Sequence, residues 1–331
     1  MTRRRLDSSL VLLLASAVLV GAAYFMLLQS YILSALVLAG IYAIIITGLV
    51  LLTGLCGQYS LGHAAFFATG SYGTAILTIH GIPPLAAAAV SVGLTVAIAV
   101  LIGIPLLRLR GYYLAVATLA FGLIAYSILK GWRTLTLGPS GIPDIPPFSV
   151  GPLVIKGDQS NYWFVWAIAL IGVWGAINLW RSRAGQALLA VKHDEIGAAA
   201  IGINIHVVKV QIFALSAAYA AVGGVLYAHY VSFIAPERFT MITSFELLIA
   251  ALLGGIGTPF GALIGALLLV AMPEVFAPLR DFKVIVYGLF FILVSLYFPR
   301  GVAGMLQDLP ALLRRDPRNR ACPGSAAAPP L

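Results

Sequence analysis

Long apolar runs constrain this chain more than any other feature. A helix needs about 20 apolar residues to cross a bilayer core, because each residue adds about 1.5 Å. Eight runs approach that length, at residues 9–28, 32–53, 64–79, 85–107, 112–129, 162–180, 210–234 and 284–298. Only 9% of the residues are charged, whereas a soluble domain has about 25%. The sequence therefore predicts an all-α, polytopic membrane helix bundle with about eight spans.

A ninth apolar run, 244–272, is broken by the glycine-rich stretch 254–259. Each remaining piece is too short to cross, and irregular backbone at membrane depth needs cover from protein or a water-filled cavity. We therefore predict a re-entrant segment. Gly254, Gly255 and Gly257 fit two interpretations, which are close helix packing and a central transport pathway.

Lysine and arginine positions indicate the topology, since both residues favour cytoplasmic loops. If 244–272 re-enters, most of the 20 basic residues lie inside, together with both termini; if it crosses, the two sides are nearly equal. We adopt the first topology and interpret run 9–28 as a retained signal-anchor rather than a cleaved signal peptide. The net charge of +9 comes from clusters at span ends, so nucleic-acid binding is not predicted.

This topology divides the chain into a permease domain, 1–304, and a basic tail, 305–331. The tail has no core-forming pattern, and we expect it to be disordered. The domain contains a long outer loop, 130–161, and a polar inner interval, 181–209. We expect the chain to lie in a bacterial inner membrane.

A short helix is predicted inside the interval 181–209. Asp194 is a good N-cap, Glu195 favours the positive end of the helix dipole, and Gly202 can end the helix in a left-handed conformation. Ala198 and Ala199 add helix propensity with little bulk. The pattern fits either a helix that docks into another protein or a solvated connection.

The stretch from Gly57 to His63 predicts an unwound turn between two spans. Gln58, Ser60 and His63 would face a cavity or a partner, and the helix that starts near Ser60 or Gly62 would present its amides to a substrate carboxylate. The alternative is a cytoplasmic turn with structural glycines, in which His63 is a hydrogen-bonded core residue.

The sequence contains no acidic residue in the middle of a span, although Glu246 enters the broken run. Proton- or sodium-coupled carriers usually need such a group. The chain also lacks a P-loop motif, a metal-ligand cluster and a catalytic triad. We predict a transporter subunit with no catalytic residues, metal or cofactor that is driven by a separate ATPase; a secondary carrier or channel is the alternative from another class.

Six segments together resemble one protein family: G-Q-Y-S-L-G-H-A-A-F-F (57–67), L-R-G-Y-Y-L-A-V-A-T-L-A-F (109–121), G-P-S-G-I-P (138–143), the loop 183–204, L-G-G-I-G-T (253–258) and F-P-R-G (298–301). This is the LivM-type permease of branched-chain amino acid ABC importers. The resemblance implies four kinds of partner: a LivH-like permease, two cytoplasmic ATPases, an extracytoplasmic binding protein and membrane lipid.

The resemblance also implies site residues. The set that couples the permease to the ATPase would be Asp194, Glu195, Ala198, Ala199 and Gly202. The pathway set, which comes from the unwound turn and the broken run, is Gly57, Gln58, Ser60, Gly62, His63, Gly254, Gly255 and Gly257. The chain departs from the family pattern where Ile196 and Gly197 separate Glu195 from the alanines. It also has Leu137 where a glycine is usual and Tyr59 where an aliphatic residue is usual. Urea and short-amide importers share this permease type, so a urea or amide substrate is the alternative to Leu, Ile or Val.

Overall fold

The computed structural model describes residue 21 and residues 30–275, with gaps at 110 and 152. The predicted span 9–28, apart from residue 21, lies outside these residues, as do the predicted span 284–298 and the tail 305–331. The described helices, numbered here in chain order, are α1 (Ser30–Cys56), α2 (His63–Ile79), α3 (Pro84–Leu106), α4 (Tyr112–Gly131), α5 (Arg133–Thr136), α6 (Gly157–Arg181), α7 (Arg183–His193), α8 (Glu195–Ala200), α9 (Ile205–Val231), α10 (Met241–Gly254) and α11 (Gly261–Val275).

Five of the described helices, α1, α3, α4, α6 and α9, are long and apolar enough to cross a membrane. Each coincides with a predicted span, and their ends differ from the prediction by a few residues. Helix α2 coincides with the predicted span 64–79 but has only 17 residues, which corresponds to about 25 Å. The predicted all-α membrane bundle is confirmed.

Helix α9 lies at the centre of the bundle, where it packs against α1, α2 and α3. Small residues make the contact with α2 possible. A Cβ added to Gly224 would collide with the backbone of Phe67 and Ser71, and the Ser71 hydroxyl donates to the Gly224 carbonyl at 3.0 Å. Close approach of this kind replaces the hydrophobic driving force that lipid does not supply.

The broken run 244–272 forms an antiparallel pair, α10 and α11, of 14 and 15 residues. A Cβ on Gly254 would overlap the Gly261 carbonyl, and one on Gly265 would overlap the Ala250 carbonyl. Helix α10 is about 21 Å long, which is shorter than a hydrocarbon core of about 30 Å. The glycine-rich break is therefore the turn of a helical hairpin, and re-entry of this segment stays a prediction.

The outer loop is ordered and irregular. It contains α5, a 3-10 turn at Gly138–Ser140, and a two-stranded antiparallel ribbon, β1 (Ser149–Val150) with β2 (Leu153–Val154). Ile142 pairs with Ile234, and His229 Nδ1 lies 2.7 Å from the Pro146 carbonyl. The loop is therefore tied to the C-terminal end of α9.

Two features of the fold differ from the predicted boundaries. Helix α6 begins at Gly157, so it takes the last residues that we assigned to the outer loop. The interval 181–209 contains an additional helix, α7, whose N-cap Ser182 accepts a hydrogen bond from the Gly185 amide at 3.1 Å. The cap and the terminal Lys192 and His193 are helix signals in the sequence.

Candidate coupling and transport site

Helix α8 has the predicted caps at both ends. The Asp194 carboxylate accepts from the Ile196 amide at 2.9 Å, which satisfies one of the unpaired amides of the first turn. At the other end Gly202 has a φ of +85°, and the amides of Gly202 and Ile203 donate to Ala199 and Ala198. This pattern is a Schellman motif, which ends the helix at a left-handed residue.

Glu195 does not point away from the bundle. Its carboxylate lies 2.6 Å from the ammonium of Lys209 in the first turns of α9, and the Lys209 side chain is only 6% exposed. Sequence reasoning did not pair these residues, because they lie 14 positions apart on different helices. The ion pair holds α8 against α9.

A second link joins the interval 181–209 to the end of α1. The Lys192 ammonium donates to the Gly54 carbonyl at 2.8 Å, so it caps one of the last carbonyls of that helix. The stem of Lys192 crosses Gly57, where an added Cβ would lie 3.1 Å from Cγ. Gly57 has a φ of +69°, which also favours glycine.

The exposed face of α8 is apolar. Ile196 is 81% exposed and Ile201 is 73% exposed, and Ala199 and Ala200 between them are also exposed. Ala198, which we included in the coupling set, is buried against the bundle. The two isoleucines were not among the predicted coupling residues.

The unwound turn is present at residues 57–62, and its second half lies inside the bundle. Ser60, Gly62 and His63 are buried. His63 Nε2 lies 2.9 Å from the Ser216 hydroxyl near the middle of α9, and Nδ1 lies 3.3 Å from the Ser60 hydroxyl. Helix α2 therefore begins within the bundle rather than at its end.

The hydrogen bonds around His63 determine its tautomer. Ser216 Oγ donates its proton to the Gly48 carbonyl at 2.6 Å, so His63 Nε2 must donate to Ser216. Nδ1 then accepts from Ser60, because an imidazole nitrogen without a proton is an acceptor. His63 thus joins α1, α2 and α9 as a hydrogen-bonded core residue, which was the alternative to a role in substrate contact.

The first amides of α2 bond to other helices. The Ala64 amide donates to the Ser244 hydroxyl of α10 at 3.1 Å, and the Leu61 amide donates to the Thr118 hydroxyl of α4 at 3.0 Å. In this conformation these amides meet protein partners where the sequence suggested a substrate carboxylate. The starts of α2 and α10 meet at this point.

The three glycines of the hairpin occupy different environments. Gly254 is buried at the contact between α10 and α11, whereas Gly255 has a φ of +111° and begins the turn. Gly257 has open space where a Cβ would lie. A Cβ on Gly54 would collide with the Ile256 carbonyl and the Trp180 ring, so this turn lies beside the ends of α1 and α6.

The structure brings only some of the predicted residues together. Gly57, Gln58, Asp194 and Glu195 line one cavity of about 460 Å³. Ser60, Gly62 and His63 lie deeper in the bundle, and the hairpin glycines form a separate contact. Within residues 30–275, no group of three His, Cys, Asp or Glu side chains could hold a metal ion.

Apolar helices, a glycine-broken hairpin and a helix that starts within the bundle define the class of this protein: a multi-pass membrane transport protein. Discontinuous helices of this kind form central pathways in transporters.

The chain belongs to the family described as the permease component of the branched-chain amino acid transport system, whose model matches residues 31–295. LivM of Escherichia coli (strain K12), a high-affinity branched-chain amino acid transport system permease protein, is 31% identical over 289 residues, covering 80% of this chain and 68% of LivM. These findings confirm the LivM-type resemblance. A permease component is not itself an enzyme.

Two further relatives show the breadth of the family. LivH of the same E. coli strain is 29% identical over 293 residues, which cover 81% of this chain and 92% of LivH. The autoinducer 2 import system permease protein LsrC of Salmonella paratyphi B is 30% identical over 224 residues, which cover 58% of this chain and 63% of LsrC. No solved structure matches the chain significantly.

Proposed function

We propose that this chain is one of two permease subunits of an ATP-driven importer in a bacterial inner membrane. It would translocate leucine, isoleucine and valine that an extracytoplasmic binding protein delivers. A LivH-like permease would complete the membrane part, and two cytoplasmic ATPases would supply the energy. Both termini lie in the cytoplasm in this arrangement. Family membership and the names of the relatives support the substrate and the subunits.

The observation that carries the proposal is the architecture of α8. A six-residue helix is too short to be stable alone, yet here it is capped at both ends and held to α9 by an ion pair. Its outward face presents Ile196 and Ile201 to solvent. A rigid short helix with an apolar outer face suits insertion into a groove of an ATPase.

The contacts around α8 provide a route by which movement of the ATPases reaches the membrane helices. An ATPase that pulls α8 acts on α9 through Glu195 and Lys209, and on the end of α1 through Lys192 and the Gly54 carbonyl. Helices α1 and α9 both contact the His63 network. Displacement of α8 would thus reach the buried start of α2, where the bundle is broken.

The test uses the assembled transporter in proteoliposomes. It separates two proposed functions of α8, which are binding of the ATPases and transmission of their movement to α9. Glu195→Lys and Lys209→Glu should each reduce ATP-dependent leucine uptake by about tenfold or more, since each leaves two like charges facing one another at a partly buried site. The double variant restores opposite charges and should recover a large part of the uptake. Wild-type uptake in either single variant would remove the ion pair from the coupling route.

Ile196→Asp tests the docking face and should release the ATPases from the purified complex, because it places a charge in an apolar contact. Lys209→Glu should not rescue it. Retained ATPases with normal uptake would contradict docking through this face. Leucine transport by this chain alone, without ATP, would favour a channel or carrier, and uptake of urea in place of leucine would overturn the proposed substrate.

A further inference from the structure

An exposed apolar surface lies where the first part of the outer loop meets the segment that follows α9. Four large apolar side chains, which are 52%, 42%, 48% and 46% exposed in chain order, form it: Trp132, Leu135, Leu137 and Phe233. Leu137 precedes the 3-10 turn Gly138–Ser140 and Gly141 follows it. A Cβ added to Gly141 would lie 3.0 Å from the Phe233 ring. The two segments therefore share one surface, which we call the outer patch.

Backbone contacts hold the two segments of the outer patch together. Ile142 and Ile234 exchange two hydrogen bonds of 2.8 and 3.1 Å, and the Ile145 amide donates to the Ser232 carbonyl at 3.2 Å. A second 3-10 turn, Pro236–Phe239, packs against the turn Gly138–Ser140 and against α4. A surface that is ordered before binding loses little conformational entropy when a partner binds.

Backbone strain is concentrated around the outer patch. Among the described residues, three that are not glycine have a left-handed φ of 55–58°, namely Leu137, Asp144 and Ser232. All three lie in the outer loop or directly after α9. Strained residues of this kind cluster at ligand clamps and switch regions, where the surrounding structure holds them in place. The strain thus indicates a functional surface rather than a simple connection.

The outer patch is bordered by basic side chains. Arg133 and Arg238 are exposed, and neither forms an ion pair within the described part of the chain. The stem of Arg133 lies beside Gly138, where an added Cβ would be 3.2 Å from its Cγ. Segments 130–140 and 231–240 contain three basic residues, of which Lys130 is the third, and one acidic residue, Glu237. Because lysine and arginine are disfavoured in outer segments, their presence here indicates a partner with negative charge.

We infer that the outer patch docks an acidic surface of the extracytoplasmic binding protein. The inference rests on the proposed function and adds to it the place of contact and the charge of the surface that binds there. The four apolar side chains would form the water-free centre of the interface, and the two arginines would lie at its polar rim. Charges at a rim mainly raise the association rate, and salt screens them.

The experiment measures association of fluorescently labelled binding protein with the complete transporter in phosphatidylcholine nanodiscs, at low and at high salt. Arg133→Glu and Arg238→Glu should each lower the association rate by about five- to tenfold at low salt, and by much less at high salt. Lys156→Glu is the matched control, because Lys156 is exposed in the outer loop but precedes α6 and lies outside the outer patch. It should associate like the wild type.

Leu137→Gly tests the apolar centre without a loss of folding. It relieves the left-handed strain, so it should not lower Tm, yet it removes an exposed apolar side chain and should weaken equilibrium binding by about fivefold. Thermal unfolding of the same preparation separates weaker binding from lower stability.

Unchanged association in both arginine variants would overturn the inferred surface, as would an equal loss in Lys156→Glu or wild-type affinity in a folded Leu137→Gly variant. If the arginine variants instead release co-purified phospholipid and bind the binding protein normally, the outer patch contacts lipid and the inference is wrong. Absence of binding to the wild-type complex is a separate result, and it would overturn the proposed function instead.

Discussion

Leu137 has a backbone conformation that leucine rarely adopts. Its φ is +58° and its ψ is 10°, and it joins α5 to the following 3-10 turn. A left-handed conformation costs an L-residue about 1–2 kcal/mol, because Cβ approaches the following carbonyl oxygen. The LivM-type pattern usually has glycine here, and the structure gives the physical reason. The leucine side chain gains little burial in return, since it is 48% exposed.

Replacing this leucine should therefore stabilise the protein. Leu137→Gly relieves the Cβ contact, and we expect a gain of up to about 1 kcal/mol, or a few degrees in Tm. The measurement is thermal unfolding of the purified complex in detergent. Leu135→Gly is the control, because Leu135 is equally apolar and exposed but helical; it should lower Tm. A lower Tm in Leu137→Gly would show that the leucine is stabilised by a contact with another subunit.

At the scale of elements, the α10–α11 hairpin depends on glycine in two ways. Gly261 and Gly265 allow the two helices to touch, and Gly255 makes the turn possible through its positive φ. Gly257 belongs to the same four-residue spacing in the sequence, yet it precedes α11 and contacts nothing where a Cβ would lie. Of the three glycines at four-residue intervals, Gly261 and Gly265 therefore permit helix packing, and Gly257 lies in the turn.

Substitution should distinguish these roles. Gly265→Ala places a methyl group against the Ala250 backbone, which cannot move aside as a side chain would, and we expect a loss of about 1–3 kcal/mol. Gly257→Ala should change stability by less than about 0.5 kcal/mol. Expression level and thermal unfolding of the two variants measure the difference. Equal stability of the two would mean that α10 and α11 do not touch at Gly265.

The sequence predicts elements more fully than it predicts contacts between them. Apolar runs located the membrane helices, and Asp194 and Gly202 located α8, because each signal is local to its element. Helix α7 was missed because it is too polar to register as an apolar run. The bonds from Glu195 to Lys209 and from His63 to Ser216 join distant positions, and hydrophobic periodicity carries no information about such pairs.

At the scale of the whole molecule, the predicted inner segments meet at one end of the bundle. Residues from the unwound turn, the segment before α4 and the junction of α7 with α8 line the same cavity. The predicted outer segments meet elsewhere, where Ile142 pairs with Ile234 and Pro146 bonds to His229. Spans that cross the membrane in alternating directions bring the inner segments together at one end of the bundle and the outer segments together at the other. The observed grouping therefore agrees with the topology that the basic residues indicate.

The orientation of the chain across the membrane can be measured with single-cysteine variants, since the sequence contains only two cysteines, Cys56 and Cys322. In a variant with Cys56→Ala and Cys322→Ser, Ser140→Cys on the outer loop should react with a membrane-impermeant maleimide in intact cells. Ala184→Cys on α7 should react only after the membrane is opened. Both positions are exposed, so a failure to react reflects the side of the membrane rather than burial. Labelling of Ala184→Cys in intact cells would place α8 outside, where no ATPase could reach it.

Cys322, which the chain already contains, tests by the same maleimide labelling whether the run 244–272 re-enters or crosses the membrane. With only Cys56 replaced, Cys322 reports the side on which the tail lies, and it should remain unlabelled in intact cells. If α10 and α11 return the chain to the side from which it entered, as predicted, one further span places the tail inside. If the run 244–272 instead crossed the membrane, that same span would place the tail outside. Labelling of Cys322 in intact cells, with Ala184→Cys still protected, would thus leave α8 on the inner side and exclude the predicted re-entrant segment.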